Sequence, residues 1–222
     1  ASRALVTIAN IANITTTSAR AVNLNNVSGT MSVIAVSASN ADIGINLVNV
    51  NPSSGSFLVA GNGGTCTAAT PTCTGGTISN ATNAGINLSN TRNVTLTRMR
   101  VNGSGNFGLL GSTVHALSID TSVFDGVHGN ALDEGAIFVT NWLTSGTISN
   151  SEILGGANEN IRITNNQGTL NRLTISNSII RDNSTGTNGN HGLRFATNLA
   201  SNTGAGVAMN LIRYVRTLGL RP

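Results

Sequence analysis

The sequence contains no lysine and few charged or aromatic residues. Only 9% of its 222 residues are charged and 3% are aromatic, and all 12 basic residues are arginine. Exposed helix faces are rich in alanine, glutamate and lysine, so a mainly helical fold is not expected. The arginines are scattered, without the basic stripe and interleaved aromatics of nucleic-acid-binding proteins, and we expect no nucleic-acid partner.

Long apolar runs are also missing. No run is long enough to span a membrane, and the sequence shows neither an initiator methionine nor a signal peptide. We therefore interpret the chain as a processed segment of an exported protein. The abundant residues are glycine, asparagine, serine, threonine, valine, isoleucine and leucine. This composition is typical of short strands joined by glycine and asparagine turns.

The two cysteines lie close together, as Cys66 and Cys73 in the segment CTAATPTC. The six intervening residues include Pro71 and can loop back so that the sulfur atoms meet. No second pair of ligands accompanies them, so the spacing does not indicate a zinc site. We predict a disulfide that closes a surface loop, with two unrelated buried thiols as the alternative. A disulfide favours an oxidising compartment, and hence a secreted or cell-surface protein.

One short phrase recurs along the chain, for example as GINLVN at 44 and GINLSN at 85. Its successive copies are separated by 23, 41, 23, 27, 25 and 32 residues and begin at positions 21, 44, 85, 108, 135, 160 and 192. Periods of about 20–50 residues are typical of solenoids, propellers and arrays. A second phrase, seen in TISNSEIL (147–154) and LTISNSII (173–180), recurs within the units. Each unit predicts about three short strands, with inward apolar residues alternating with outward polar ones.

These units resemble the right-handed parallel β-helix repeats of the pectate-lyase-like superfamily, in their generic nxGIxLxNxxnVtIxnsxIxgN form. The resemblance covers roughly residues 20–200. It implies an all-β solenoid with about three strands per coil and roughly 7–9 coils. It identifies no specific enzyme family, because such coils serve polysaccharide lyases and hydrolases, phage tailspikes, adhesins and surface stalks. We assign 1–206 to the parallel β-helix and 207–222 to a C-terminal cap or irregular tail.

An asparagine follows several coil starts by about five or six positions. In stacked coils these side chains could form an amide ladder, or they could simply tolerate the left-handed backbone of a corner. Both alternatives assign them a structural role. The ladder candidates are Asn49, Asn90, Asn141, Asn165 and Asn198.

Two corners, 125–134 and 181–191, are longer than the others. We expect function there, because loops carry the variable chemistry of a repetitive scaffold. If the repeat register is maintained, the two corners protrude from the same edge two coils apart, about 10 Å by strand spacing. They contain four of the eight acidic residues and two of the three histidines. The candidate catalytic residues are Asp125, His128, Asp133, Glu134, Asp182 and His191.

Several chemistries would suit these side chains. Paired carboxylates can supply the acid and base of glycoside hydrolysis, and a basic residue beside a metal can take the proton next to a uronate carboxyl in a lyase. We expect no cofactor. Calcium is the alternative, because carboxylates together with backbone oxygens form calcium sites. The NHG at 190–192 is similar to the Gly-His-Gly of polygalacturonases, but the companion Asn-Thr-Asp, Asp-Asp and Arg-Ile-Lys motifs are missing. Aromatic residues for stacking on sugars are scarce.

The sequence therefore predicts a non-enzymatic β-helix segment that is secreted or on the surface of a bacterial cell, as part of a stalk, adhesin or filament. The expected partners are other copies of the chain, in head-to-tail or lateral assembly, or surface glycans. The alternative is a polysaccharide-binding or polysaccharide-degrading β-helix, a lyase or a hydrolase, that acts through the corners 125–134 and 181–191.

Overall fold

The protein is a parallel β-helix of about seven turns. The computed structural model describes residues 3–181, 191–197 and 209–214, and none of these is helical. The strands in these ranges are, in chain order, β1 (Ala4–Leu5), β2 (Ile8–Thr17), β3 (Val22–Asn25), β4 (Val27–Ser39), β5 (Ile43–Val48), β6 (Gly55–Val59), β7 (Thr77–Ala81), β8 (Ala84–Arg92), β9 (Val94–Thr97), β10 (Arg100–Ser104), β11 (Phe107–Asp120), β12 (Val123–His128), β13 (Gly135–Ser149), β14 (Glu152–Ile153), β15 (Glu159–Asn165), β16 (Leu170–Ser176), β17 (Ile179–Ile180), β18 (His191–Thr197) and β19 (Met209–Tyr214).

The strands stack into three parallel sheets, and the longest strands turn a corner and serve two of them. Sheet 1 contains β3, β5, β8, the first halves of β11 and β13, β15 and β18. Sheet 2 contains the first halves of β2 and β4, β6, β9, the second halves of β11 and β13, β16 and β19. Sheet 3 contains the second halves of β2 and β4, β7, β10, β12, β14 and β17. The predicted parallel β-helix is therefore confirmed.

The recurring phrase marks the entry of each coil into sheet 1. The predicted coil starts fall within one residue of the first residues of the sheet 1 strands, which are Val22, Ile43, Ala84, Phe107, Gly135, Glu159 and His191. The strand pairing stacks one apolar residue of each copy into a column inside the helix. The fully buried members of this column are Ile45, Ile86, Leu109, Ile137 and Ile161. The columns of equivalent side chains form the core.

Trp142, the only tryptophan, fills the core at the corner between sheets 1 and 2. It is fully buried, and its Nε1 donates to the carbonyl oxygen of Ser145 at 3.1 Å. A Cβ on Gly146 would lie 2.6 Å from Cε2 of the indole, too close for a non-bonded contact. Glycine is therefore required beside the ring, and Trp142 contributes to packing rather than to a sugar-stacking surface.

A ladder of amides runs along the corner between sheets 1 and 2. Asn49 Nδ2 donates to Asn26 Oδ1 at 3.0 Å, and Asn90 Nδ2 donates to Asn49 Oδ1 at 2.9 Å. All three residues have φ between 50° and 56°, in the left-handed region that asparagine tolerates. At these positions the corner geometry and the amide bonding occur together.

The later asparagines of the predicted ladder bond to the main chain instead. Asn141 Oδ1 accepts from two main-chain N–H groups of the next coil, at 2.8 and 3.1 Å. Asn165 is fully buried, and its amide both accepts from the N–H of Trp142 and donates to its carbonyl oxygen. Asn198 lies outside the described residues. Along this corner, the amide to amide bonds of the earlier coils are thus replaced by side chain to main chain bonds in the later ones.

Two further ladders connect the coils. On the outer surface of sheet 1, Asn46 bonds Asn23 and Asn87 bonds Asn46, each at 2.8 Å. At the corner between sheets 2 and 3, three serine hydroxyls each donate to the carbonyl oxygen two residues earlier, at 2.7–2.9 Å. Each hydroxyl also accepts from a main-chain N–H of the preceding coil, at 3.0–3.2 Å. These serines are Ser122, Ser151 and Ser178.

The longest interval between coil starts contains the loop 60–76, which connects β6 to β7. A disulfide joins Cys66 and Cys73, whose Cα atoms are 4.6 Å apart, and the predicted bond is confirmed. The loop contacts two other coils, because Arg98 Nε donates to the carbonyl oxygen of Gly64 at 3.2 Å and the N–H of Ala68 donates to a Glu152 carboxylate oxygen at 3.2 Å. The loop therefore crosses the coils of β9 and β14.

Part of the segment predicted as a cap or tail, 207–222, is a strand. β19 pairs in parallel with β16, with Leu170 beside Met209 and Leu173 beside Leu211. These six residues continue sheet 2 by one strand. The predicted domain boundary between 206 and 207 lies outside the described residues and stays a prediction.

Candidate functional site

The corner predicted at 125–134 is shorter than the sequence suggests. β12 extends to His128, so only residues 129–134 leave the strands. The pairing of β12 with β10 places Asp125 beside Asn102 and His128 beside Ser104, with a bulge between these pairs. The Asp-Gly and His-Gly dipeptides resemble turns in the sequence, but Gly126, with φ of 79°, allows the strand to continue through the bulge.

Asp125 is held on the outer surface of sheet 3 and is only 6% exposed. Arg100 donates to both carboxylate oxygens, with Nη2 at 2.7 Å from Oδ2 and Nε at 3.0 Å from Oδ1. Asn102 Nδ2 donates to Oδ1 at 3.0 Å. Both oxygens are therefore engaged by a bidentate charge-assisted pair, the geometry of a structural ion pair rather than of a free general base.

His128 is fully buried where sheet 3 turns toward sheet 1. Its Nδ1 lies 2.7 Å from Ser104 Oγ, and Nε2 has no hydrogen-bond partner among the described residues. Burial lowers the pKa of His128 to about 4, and the negative charge of Asp125 opposes this shift only partly. The imidazole is therefore neutral at physiological pH and has no access to a substrate.

The two acidic residues of the corner itself have different environments. Glu134 Oε2 accepts from the N–H groups of Asn130 at 2.6 Å and Ala131 at 3.0 Å, so the carboxylate closes its own turn. Asp133 is exposed and has no side-chain partner among the described residues. Among the described residues, neither Glu134 nor Asp133 shares a hydrogen-bond partner with Asp125. The hydrogen bonds therefore do not join two of these carboxylates into an acid–base pair.

The second predicted corner is described only at its ends. Asp182 lies outside the described residues, together with the rest of 182–190. His191 begins β18, is exposed, and stands in register with Glu159, which is in register with Gly135. His191 is thus two strands away from the end of the 129–134 corner, about 10 Å at the usual strand spacing.

A shallow groove with a volume of about 560 Å³ lies beside the 129–134 corner. Three consecutive coils form it, through residues 80–82, residues 102–105, and residues 126–127 together with 129–130. The side-chain amides of Asn80 and Asn130 are exposed and make no hydrogen bonds within the described ranges, and Val127 on the groove wall is 52% exposed. The groove therefore offers polar donors and acceptors next to a small apolar surface.

A cluster of charged and aromatic side chains occupies the outer surface of sheet 1, and the sequence pattern did not predict it. Glu159 is 1% exposed, accepts from Arg194 Nη1 at 2.9 Å, and lies 3.9 Å from Arg162 Nη1. The Arg162 guanidinium lies 4.8 Å from the centre of the Phe138 ring, which is 5.5 Å from that of Phe107. The segment ENIRIT indicates a Glu–Arg pair three residues apart, but Arg194 is 35 residues away and is found only from the strand register.

The fold and these contacts define a parallel β-helix whose polar surface clusters bridge neighbouring coils. No family model matches the chain, and no curated protein or solved structure matches it either. The described residues include no group of three or more histidine, cysteine or acidic side chains that could hold a metal ion. In the same ranges there is no helix with the length and apolar character needed to cross a membrane.

Proposed function

We propose that this chain is a rigid, non-enzymatic β-helix segment of an extracellular or cell-surface protein, with a structural or adhesive role as part of a stalk, adhesin or filament. The observation that supports it most is the use of polar side chains to connect coils. The amide and serine ladders do this along two corners, and the catalytic candidates Asp125 and His128 also bond to the preceding coil.

The Cys66–Cys73 disulfide supports a location outside the cytosol, because disulfides persist in oxidising compartments. The bacterial origin rests on the resemblance of the repeats alone. Self-assembly is the partner interaction that a stalk or filament requires, through head-to-tail or lateral contacts between copies of the chain.

A depolymerisation screen combined with electron microscopy tests the structural role. The proposal expects filaments or end-to-end particles of the purified chain, and no cleavage of a broad polysaccharide panel that includes pectin and alginate. Cleavage that is lost in Glu134→Gln and retained in Arg20→Ala, a surface variant away from the corner, would overturn it. Chains that stay monomeric at high concentration and adhere to no surface would also overturn it.

The groove beside the 129–134 corner favours a second candidate function, the binding of a polysaccharide. Its volume of about 560 Å³ lies within the range of small-ligand sites, roughly 300–1,000 Å³. The free amides of Asn80 and Asn130 can both donate to and accept from sugar hydroxyls, and Val127 can contact the apolar face of a sugar ring. The charge of Arg100 is compensated by Asp125, so this arginine offers no unpaired cation to a uronate, which favours a neutral glycan.

A glycan array followed by titration of any hit tests this candidate. The Asn80→Gly, Asn130→Ala double variant is expected to bind at least about tenfold more weakly, the loss of two hydrogen bonds of about 1 kcal/mol each, and glycine at position 80 keeps the φ of 51° without strain. The matched control is Asn171→Ala, because Asn171 is also exposed but lies on β16 in sheet 2. Equal affinity of both variants, or no binding to any glycan, would contradict a glycan site in the groove.

A further inference from the structure

Three asparagines of the chain are followed directly by glycine: Asn62, Asn102 and Asn188. In an Asn–Gly pair the main-chain nitrogen of the glycine can attack the asparagine side chain, because glycine has no Cβ to hinder the approach and rotates freely. Asn188 lies outside the described residues. The other two pairs have the same local sequence chemistry but very different surroundings, so the fold decides which of them can react.

Asn62 lies in the loop 60–76 and is exposed. Its main-chain N–H donates to Thr74 Oγ1 at 2.9 Å, but neither its side-chain amide nor the N–H of Gly63 makes a hydrogen bond within the described residues. Gly63 has φ of 68°, and a Cβ placed on it would meet no atom within 4 Å. Thr74 Oγ1 donates to the carbonyl oxygen of Gly63 at 2.8 Å, but the nitrogen of Gly63 can approach Asn62 Cγ without the opening of any strand.

Asn102 is held inside β10, which pairs with β7 on one side and β12 on the other. Its side-chain nitrogen donates to Asp125 Oδ1 at 3.0 Å, and this carboxylate is itself fixed by Arg100. Attack by the nitrogen of Gly103 would need this charge-assisted bond to break and the strand to rotate. Both requirements raise the barrier relative to Asn62.

We propose that Asn62 is a site of spontaneous deamidation and that the fold protects Asn102 from the same reaction. The nitrogen of Gly63 loses its proton to solvent base and attacks Asn62 Cγ, so that a C–N bond forms and the side-chain nitrogen leaves as ammonia. Water then opens the resulting succinimide ring at either carbonyl, which produces aspartate or isoaspartate at position 62. Water is the only co-reactant, and the site is independent of the proposed function.

The product changes the loop in two ways. Either product adds one negative charge, which lowers the formal net charge of the chain from +4 to +3. Isoaspartate also inserts one methylene into the main chain between Asn62 and the disulfide at Cys66, next to the bond from Asn62 to Thr74 that closes the base of the loop. Old protein should therefore contain a charge variant whose modification is confined to this loop.

The test is a time course of the full chain in ¹⁸O-labelled water at mildly alkaline and mildly acidic pH, followed by peptide mapping. Label from deamidation is expected at position 62 more than about tenfold faster than at position 102, because position 102 must first give up a hydrogen bond to a charged group. An isoaspartate-specific methyltransferase should mark the same peptide. The reaction should slow at acidic pH, since the attacking nitrogen must lose its proton.

Two controls make the result decisive. In the denatured and reduced chain the rates at 62 and 102 should converge, because both asparagines precede glycine. The Asn62→Gln variant should lose the product at 62 and leave position 102 unchanged. Equal rates at the two positions in the native chain would overturn the proposal, and so would a native position 62 that stays unmodified while the denatured chain reacts.

Discussion

The loop 60–76 and the 129–134 corner both interrupt the coil, but they are fixed in opposite ways. The loop is closed by the Cys66–Cys73 disulfide, its two ends bond to main-chain groups of neighbouring coils, and its middle contacts the coils through Arg98 and Glu152. The corner has no covalent link and follows directly on β12, in which Asp125 and His128 are held by the preceding coil. A covalent link constrains the loop locally and leaves groups such as the Gly63 nitrogen free, whereas buried polar contacts couple the corner to the core.

This difference predicts that the largest loss of stability follows removal of Arg100. Arg100→Ala would leave the buried carboxylate of Asp125 without its cation, at a cost of about 3–5 kcal/mol in the free energy of unfolding measured with urea. The matched control is Arg20→Ala, which removes the exposed pair with Asp42 and should cost at most about 1 kcal/mol. Similar losses in the two variants would show that the strand before the corner does not depend on its buried pair.

His128, the last residue of the strand before the corner, should also make the stability of the chain depend on pH. The pKa of His128 is about 4 in the folded chain, below the ordinary histidine value of about 6.5. Between these two pH values His128 is protonated in the unfolded chain but neutral in the folded chain. The free energy of unfolding therefore falls as the pH is lowered from about 6.5 to about 4. At about 1.4 kcal/mol per pKa unit, the loss approaches about 3 kcal/mol.

Urea unfolding measured across this pH range checks the prediction. His128→Gln should flatten the slope, because the variant removes the group that takes up the proton. His191→Gln, which changes an exposed histidine at the start of β18, should retain it. A wild-type chain whose stability does not change between pH 6.5 and pH 4 would contradict the role of His128.

Reduction of the disulfide should have a smaller and more local effect. The bond closes a loop of eight residues, and the chain-entropy model assigns such a loop about 2.5 kcal/mol. Hydrogen exchange should accelerate in 60–76 after reduction, whereas exchange in 129–134 should stay unchanged. In the Cys66→Ser, Cys73→Ser double variant, hydrogen exchange in 60–76 should be as fast as in the reduced chain and should not change when reductant is added. A change that spreads to the 129–134 corner would remove the contrast between the two regions.

The smallest effect is expected at the contact between the loop and β14. Glu152→Ala removes the acceptor for the N–H of Ala68, a bond of 3.2 Å, and should cost no more than about 1 kcal/mol. Exchange of the Ala68 amide should accelerate most. Asp133→Ala is the control, because this exposed carboxylate has no side-chain partner within the described ranges. A cost equal to that of Arg100→Ala would mean that the loop, too, is coupled to the core.

The coil starts are predictable from sequence because local information suffices for them. Each needs apolar residues two positions apart, as at Ile86 and Leu88, and a small residue at the corner, as at Gly85. The disulfide is predictable for the same reason, since the two cysteines are only seven positions apart. These features do not depend on how one coil is aligned with the next.

The roles of the polar side chains depend on that alignment and were therefore harder to predict. The partner of Asp125, Arg100, lies 25 residues earlier in the sequence. The partner of Glu159, Arg194, lies 35 residues later. Since the intervals between coils vary, the sequence alone does not define which residues lie side by side. An acid near a turn-like Asp-Gly is thus easily interpreted as an exposed catalytic candidate, when the register places it in a buried pair.

The serine ladder has a consequence for how this helix could change in length. Each serine supplies the acceptor for a main-chain N–H of the preceding coil and satisfies its own hydroxyl proton within its own coil. A whole coil that contains this serine therefore supplies the hydrogen-bond acceptor for the preceding coil and the main-chain N–H donor for the next one at that corner. Because coils in a solenoid contact only their neighbours, such a unit could be duplicated or deleted without leaving a buried polar group unpaired there. An insertion that shifted the strand register would break the ladder, whereas the loop 60–76 leaves the register of the amide ladder intact on either side of it.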